Sequence, residues 1–118
     1  MNTVLSSGLR GFLIICSIAL TGCSTTTTVR LEGTPGAQVS GHYRATHVSS
    51  DFAGTAAWQM DLGRQSLEEF EFRKTTAGDS VDLDIRQGRK QLVHATAAPG
   101  VRGLRVRNEG GWRVEIID

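Results

Sequence analysis

Val81-Asp82-Leu83-Asp84-Ile85-Arg86 alternates branched apolar and charged side chains without a break. A period of two places Val81, Leu83 and Ile85 on one face of an extended chain and the charges on the other, which is the pattern of a half-buried strand. The same alternation recurs to either side. Val29 and Leu31 alternate with Arg30 and Glu32, and Phe70 and Phe72 with Glu69, Glu71 and Arg73. Leu104 and Val106 alternate with Arg105 and Arg107, and Trp112, Val114 and Ile116 with Arg113 and Glu115. The best helical stripe, Gly63–Glu69, is brief.

Turn chemistry falls between these runs. Thr34-Pro35-Gly36-Ala37 suits a type II turn, with Pro at the second position and Gly at the third. Ala77-Gly78-Asp79, Gln87-Gly88 and Asn108-Glu109-Gly110-Gly111 each stand at hairpin distance between two strand candidates, and Ala98-Pro99-Gly100 breaks the chain once more. Gly41 marks a bulge or a close backbone contact. Ser49–Leu62 is the least legible stretch. About seven or eight short strands so punctuated predict an all-β fold, a small antiparallel, immunoglobulin-like β-sandwich over residues 29–118.

The N-terminal region has another character. Arg10 is followed by Gly11–Leu20, an uncharged apolar run shorter than the ~20 residues a bilayer core requires. That is the layout of a helical export signal. Leu20-Thr21-Gly22-Cys23 closes it and resembles the lipobox of bacterial lipoprotein precursors. The resemblance covers residues 1–23 and implies thioether lipidation of Cys23 and cleavage between Gly22 and Cys23. Ser24 follows where Asp commonly retains such proteins at the inner membrane. The resemblance therefore implies a lipid-anchored envelope protein at the outer membrane, facing the periplasm.

Several consequences follow for the exported part. Cys16 leaves with the signal and Cys23 is taken by lipid, so no disulfide can form and the core alone must hold the domain. Residues 23–28, the lipidated Cys and a run of Ser and Thr, read as a short polar tether. Its five residues after Cys23 reach at most ~18 Å, so the domain lies close to the headgroups. The chain carries 13 basic and 12 acidic side chains. With Arg10 removed the two balance, which argues against non-specific nucleic-acid binding.

Val29-Arg-Leu-Glu-Gly-Thr-Pro-Gly-Ala-Gln-Val39, then Trp58, Val81–Ile85 and Gln87-Gly88, resembles the exported domain of the MmpS-type transport accessory proteins, which are small membrane-anchored β-sandwiches beside lipid exporters. Those proteins keep a transmembrane anchor and usually two cysteines in the domain, a pattern from which this sequence departs. The resemblance supports the fold more than a transport role.

Motifs for chemistry are sparse. His42 and His47, at odd spacing, would face opposite sides of one strand, and with His94 they match no metal-site pattern. No Gly-x-Ser-x-Gly elbow frames the Ser, His and Asp residues, so a nucleophilic triad would have to arise from tertiary proximity alone. Glu69 and Glu71 share a strand face with Arg73, a solvated ladder and not an acid/base dyad. Gly33-Thr-Pro-Gly36 lacks the lysine and helix of a phosphate loop. Tyr43 and Trp58 are candidates for a stacking platform, for example for a glycan. No cofactor or metal is expected.

The order of charges is the clearest irregularity. Acidic side chains dominate from Asp61 to Asp84, whereas Arg86, Arg89, Lys90, Arg102, Arg105 and Arg107 follow with no acid among them. The preferred expectation is intramolecular, an acidic strand beside a basic one. Arg105 and Arg107 would then meet Asp82 and Asp84, at about 0.2–1 kcal/mol per cross-strand pair. The alternative is a basic surface of Arg102, Arg105 and Arg107 open to anionic lipid or a protein partner. Together these features predict a non-catalytic, membrane-anchored binding or adaptor module with an envelope protein as possible partner. An accessory subunit of an envelope lipid transporter is the alternative, followed by a glycan-binding domain.

Overall fold

The structure, a computed structural model, describes residues 26–118. Gly22 and Cys23, and with them the signal and lipidation expectations, lie outside the described residues. Nine strands follow in order: β1 (Thr27–Gly33), β2 (Gln38–Ala45), β3 (Ser49–Thr55), β4 (Trp58–Asp61), β5 (Leu67–Lys74), β6 (Val81–Gln87), β7 (Lys90–Ala97), β8 (Gly103–Asn108) and β9 (Trp112–Ile117). They form a five-stranded sheet, β9-β8-β5-β2-β3, and a four-stranded sheet, β4-β1-β6-β7, both antiparallel throughout. This is an all-β sandwich. The illegible Ser49–Leu62 stretch supplies β3 and β4.

The topology repeats one device. The chain leaves β1, forms the β2–β3 hairpin in the other sheet, and returns to pair β4 with β1. It then leaves β5, forms the β6–β7 hairpin opposite, and returns to pair β8 with β5. The layering is that of an immunoglobulin domain; the strand order, with β1 between β4 and β6, is its own.

Most turns match their sequences. The Ala37 N–H donates to the Thr34 carbonyl at 3.0 Å with Gly36 at φ +80°, the type II turn expected. Gln87 pairs with Lys90 across the Gly88-Arg89 turn, and Asn108 with Trp112 across Glu109-Gly110-Gly111. Ala77-Gly78-Asp79 differs. It joins β5 to β6 in the opposite sheet and so forms a crossover, not a hairpin, because β5 is already flanked by β2 and β8. Gly41 is a close backbone contact: a Cβ there would lie 1.9 Å from the Glu71 carbonyl oxygen.

The inward faces meet in one core. Val29, Leu31, Phe70, Phe72, Val81, Leu83, Ile85, Leu104 and Val106 are fully or almost fully buried, as the alternation requires. Phe52 of β3 stacks on Trp58 of β4, with centroids 4.5 Å apart, and on Phe70 at 5.1 Å, joining the two sheets on one side. Lys74 is the one charged side chain buried in the interior among the described residues. It ends β5 on the inward face, after Phe70 and Phe72, and is 6% exposed. Its Nζ lies within hydrogen-bond distance of the carbonyls of Ala77 (3.1 Å), Asp79 (2.5 Å), Ala97 (3.4 Å) and Ala98 (2.9 Å). These carbonyls belong to the crossovers leaving β5 and β7, so one ammonium ties both corners together. Burial lowers its pKa, and the Asp79 charge partly opposes that.

One strand breaks the pattern. Trp112, Val114 and Ile116 of β9 point inward as the alternation predicts, being paired with Asn108, Val106 and Leu104. Yet Val114 is 48% and Ile116 64% exposed. Five strands face four: β9 comes close to β7 and Trp112 packs against the core, but the opposite sheet leaves Val114 and Ile116 uncovered. The expected buried face of β9 is left largely in water.

Candidate functional site

The outer face of the five-stranded sheet is a ladder of charges whose register places opposite signs side by side except at Arg107 and Arg113. Asp51, His42, Glu71, Arg105 and Glu115 lie in one row across all five strands. Arg44, Glu69, Arg107 and Arg113 lie in the next. Arg105 Nε donates to Glu71 Oε1 at 3.0 Å, and Arg105 Nη1 stands 3.6 Å from Glu115. Arg107 Nε is 3.6 Å from Glu69, and Arg44 bonds Glu68 at 2.5 Å and Glu69 at 3.4 Å. The hydrogen bond to Glu71 and its charge hold the Arg105 guanidinium above its ordinary pKa.

These contacts correct one expectation and support another. Arg105 and Arg107 pair within the molecule, but with Glu71 and Glu69 of β5 and not with Asp82 and Asp84. The β6 acids belong to the other sheet, because the crossovers carry β8 back to β5. Nor do Arg102, Arg105 and Arg107 form one open basic surface. Arg102 lies exposed beyond the β7–β8 corner, while the other two are held by carboxylates.

The β2–β3 hairpin assembles a group that no sequence motif announced. His42 Nδ1 is 2.9 Å from Asp51 Oδ1, and Ser49 Oγ is 3.3 Å from His42 Nε2. The connectivity is that of a nucleophilic triad. Its setting is not. The Asp51 side chain is 88% exposed on an edge strand, whereas a triad carboxylate is buried so that it can fix the imidazole. The group borders a depression of about 350 Å³ that also includes Phe52, Glu71 and Arg73. The signal was the hairpin register, which sets His42 opposite Asp51 and Arg44 opposite Ser49.

Across the molecule, Asp82, Asp84 and Arg86 of β6 lie between Arg30 and Glu32 of β1 and Gln91 and His94 of β7, bordering a hollow of about 210 Å³. Asp84 accepts from Arg86 Nε at 2.8 Å and Gln91 Nε2 at 2.7 Å, Asp82 accepts from Thr96 at 2.7 Å, and Arg30 bonds Glu32. Burial alone would raise the Asp84 pKa. The two hydrogen bonds, with the charges of Arg86 and His94, outweigh it and leave the carboxyl below its usual value. These donors satisfy the carboxylates from within the sheet.

Tyr43 and Trp58 do not meet on the surface. Both are half-buried against the core, and Trp58 stacks on Phe52 and crosses Gly54, where a Cβ would be 2.4 Å from its Cδ1. Among the described residues no group of three or more His, Cys, Asp or Glu is placed to hold a metal ion. No protein-family model matches the chain, and neither does any curated protein or solved structure. What the described surface offers for recognition is thus two charge ladders, satisfied except at Arg113, and the uncovered Val114 and Ile116 of β9.

Proposed function

We propose that this chain is a non-catalytic envelope lipoprotein, its sandwich held at the membrane by lipid on Cys23 and serving as a binding or adaptor module. What supports this is where the domain begins. The Thr26 carbonyl accepts from the Gly88 N–H at 2.9 Å, and the Thr27 N–H donates to the Gly63 carbonyl at 2.8 Å. β1 therefore starts within the polar run, leaving Ser24 and Thr25 between Cys23 and the hydrogen-bonded chain. Two residues reach at most ~7 Å, so the module works against the bilayer surface. The satisfied ladders and the exposed Ser49–His42–Asp51 group favour recognition over chemistry, which requires a drier, preorganised site.

The test is metabolic labelling with a palmitate analogue followed by density fractionation. Wild type takes the label and sediments with outer-membrane markers; Cys23→Ser takes none and accumulates as precursor. Absence of label on wild type overturns the anchor. Labelled protein among inner-membrane markers would favour the transporter-accessory alternative, which co-purification with an exporter would then establish.

A further inference from the structure

We propose that β9 is a self-association edge, where two copies of this chain pair β9 with β9 antiparallel about a twofold axis at Val114. The strand is hydrogen-bonded to β8 alone, so one side of its backbone carries unpaired donors and acceptors. Edges in natural sheets are normally blunted. Here β4 has four residues, β7 has a register break opposite Ile85/Arg86, and β3 carries no exposed large apolar side chain. β9 is regular along its length and bears Val114 and Ile116, the two exposed large apolar side chains among the described residues.

The charges on its other face identify the occupant. Arg113 stands opposite Arg107, a like-charged cross-strand pair, and among the described residues it has no carboxylate within ion-pair distance. Antiparallel pairing centred on Val114 sets Arg113 opposite the partner's Glu115, and Glu115 opposite the partner's Arg113. On the inward face Val114 meets the partner's Val114, and Trp112 meets the partner's Ile116. Registers centred on Arg113 or Glu115 place like charges together instead. Only the Val114 register is complementary on both faces, and it requires nothing but a second copy.

The geometry also suits a membrane. An axis perpendicular to the sheet keeps both four-stranded sheets on one side, so both β1 strands leave from the same layer. The association itself does not depend on lipidation.

The experiment is sedimentation equilibrium of the full-length chain in density-matched detergent, with micelles in large excess over protein. Wild type should dimerise reversibly. Arg113→Glu and Glu115→Arg, each placing like charges opposite one another twice, should each weaken the dimer by on the order of tenfold or more. The double variant Arg113→Glu/Glu115→Arg restores complementarity and should recover most of the affinity. All four side chains involved are solvent-facing, and thermal melts confirm that the variants fold. A wild type that stays monomeric at ~100 µM, a concentration at which weak interfaces still associate, overturns the proposal. So does a dimer indifferent to the single reversals, or one that the double variant fails to restore.

Discussion

β8 and β9 are neighbours in one sheet with the same sequence pattern and opposite fates. Leu104 and Val106 of β8 are 1% and 0% exposed; Ile116 and Val114, their cross-strand partners, lie largely in water. Nothing local separates them, since both strands alternate branched apolar with charged residues. The difference is the cover. The opposite layer has four strands, and its last strand, β7, comes close to β9 but leaves Val114 and Ile116 uncovered. Alternation thus reports that a strand has an apolar face, while burial of that face depends on a strand count set elsewhere in the chain.

The sharpest test of this contrast replaces one residue on each strand. Leu104→Ala should lower stability by about 2–5 kcal/mol, through lost burial and the cavity left behind. Ile116→Ala should cost less than about 1 kcal/mol in the monomer, because its side chain already meets water. Denaturant melts at low protein concentration separate the two. Equal losses would mean that β9 is covered in the isolated molecule.

The outer face of β8 should matter less than its inner face. Arg105→Ser/Arg107→Ser removes the contacts to Glu71, Glu115 and Glu69, all partly exposed, and should lower stability far less than Leu104→Ala does. The deficit should shrink with added salt. A loss rivalling that of Leu104→Ala would place the ladder, not the core, at the centre of stability.

The smallest effect concerns the other sheet and low pH. Asp84 titrates below its ordinary value when folded, so its stabilising contribution is fully present above about pH 4 and is lost as pH falls through the lower folded value. Asp84→Asn should therefore reduce stability slightly at neutral pH and flatten the acid limb of a stability-versus-pH curve. An acid limb identical to wild type would show that Arg86 and Gln91 do not favour the ionised form.

Phe70, Phe72, Val81, Leu83 and Ile85 were placed in the core by period alone, and the Thr34–Ala37 turn by its Pro and Gly. Lys74 was also within reach, because the period that buries Phe70 and Phe72 carries it inward too. Its four carbonyl neighbours were not, since they come from corners distant in sequence. Ser49, His42 and Asp51 were hidden because the β2–β3 register depends on a hairpin in the stretch with the weakest alternation.

By itself the sequence determined the strands outside Ser49–Leu62, their apolar and charged faces, most turns, and the expectation of an exported, lipid-bearing start. Those are local properties, written in spacing and in a few residues with restricted backbones. Only the tertiary structure decided that Arg105 and Arg107 meet β5 and not β6, that Trp58 turns inward onto Phe52, and that Val114 and Ile116 stay uncovered. These depend on which strands the crossovers bring together and on five strands facing four. A side chain's own neighbours in sequence carry no record of either.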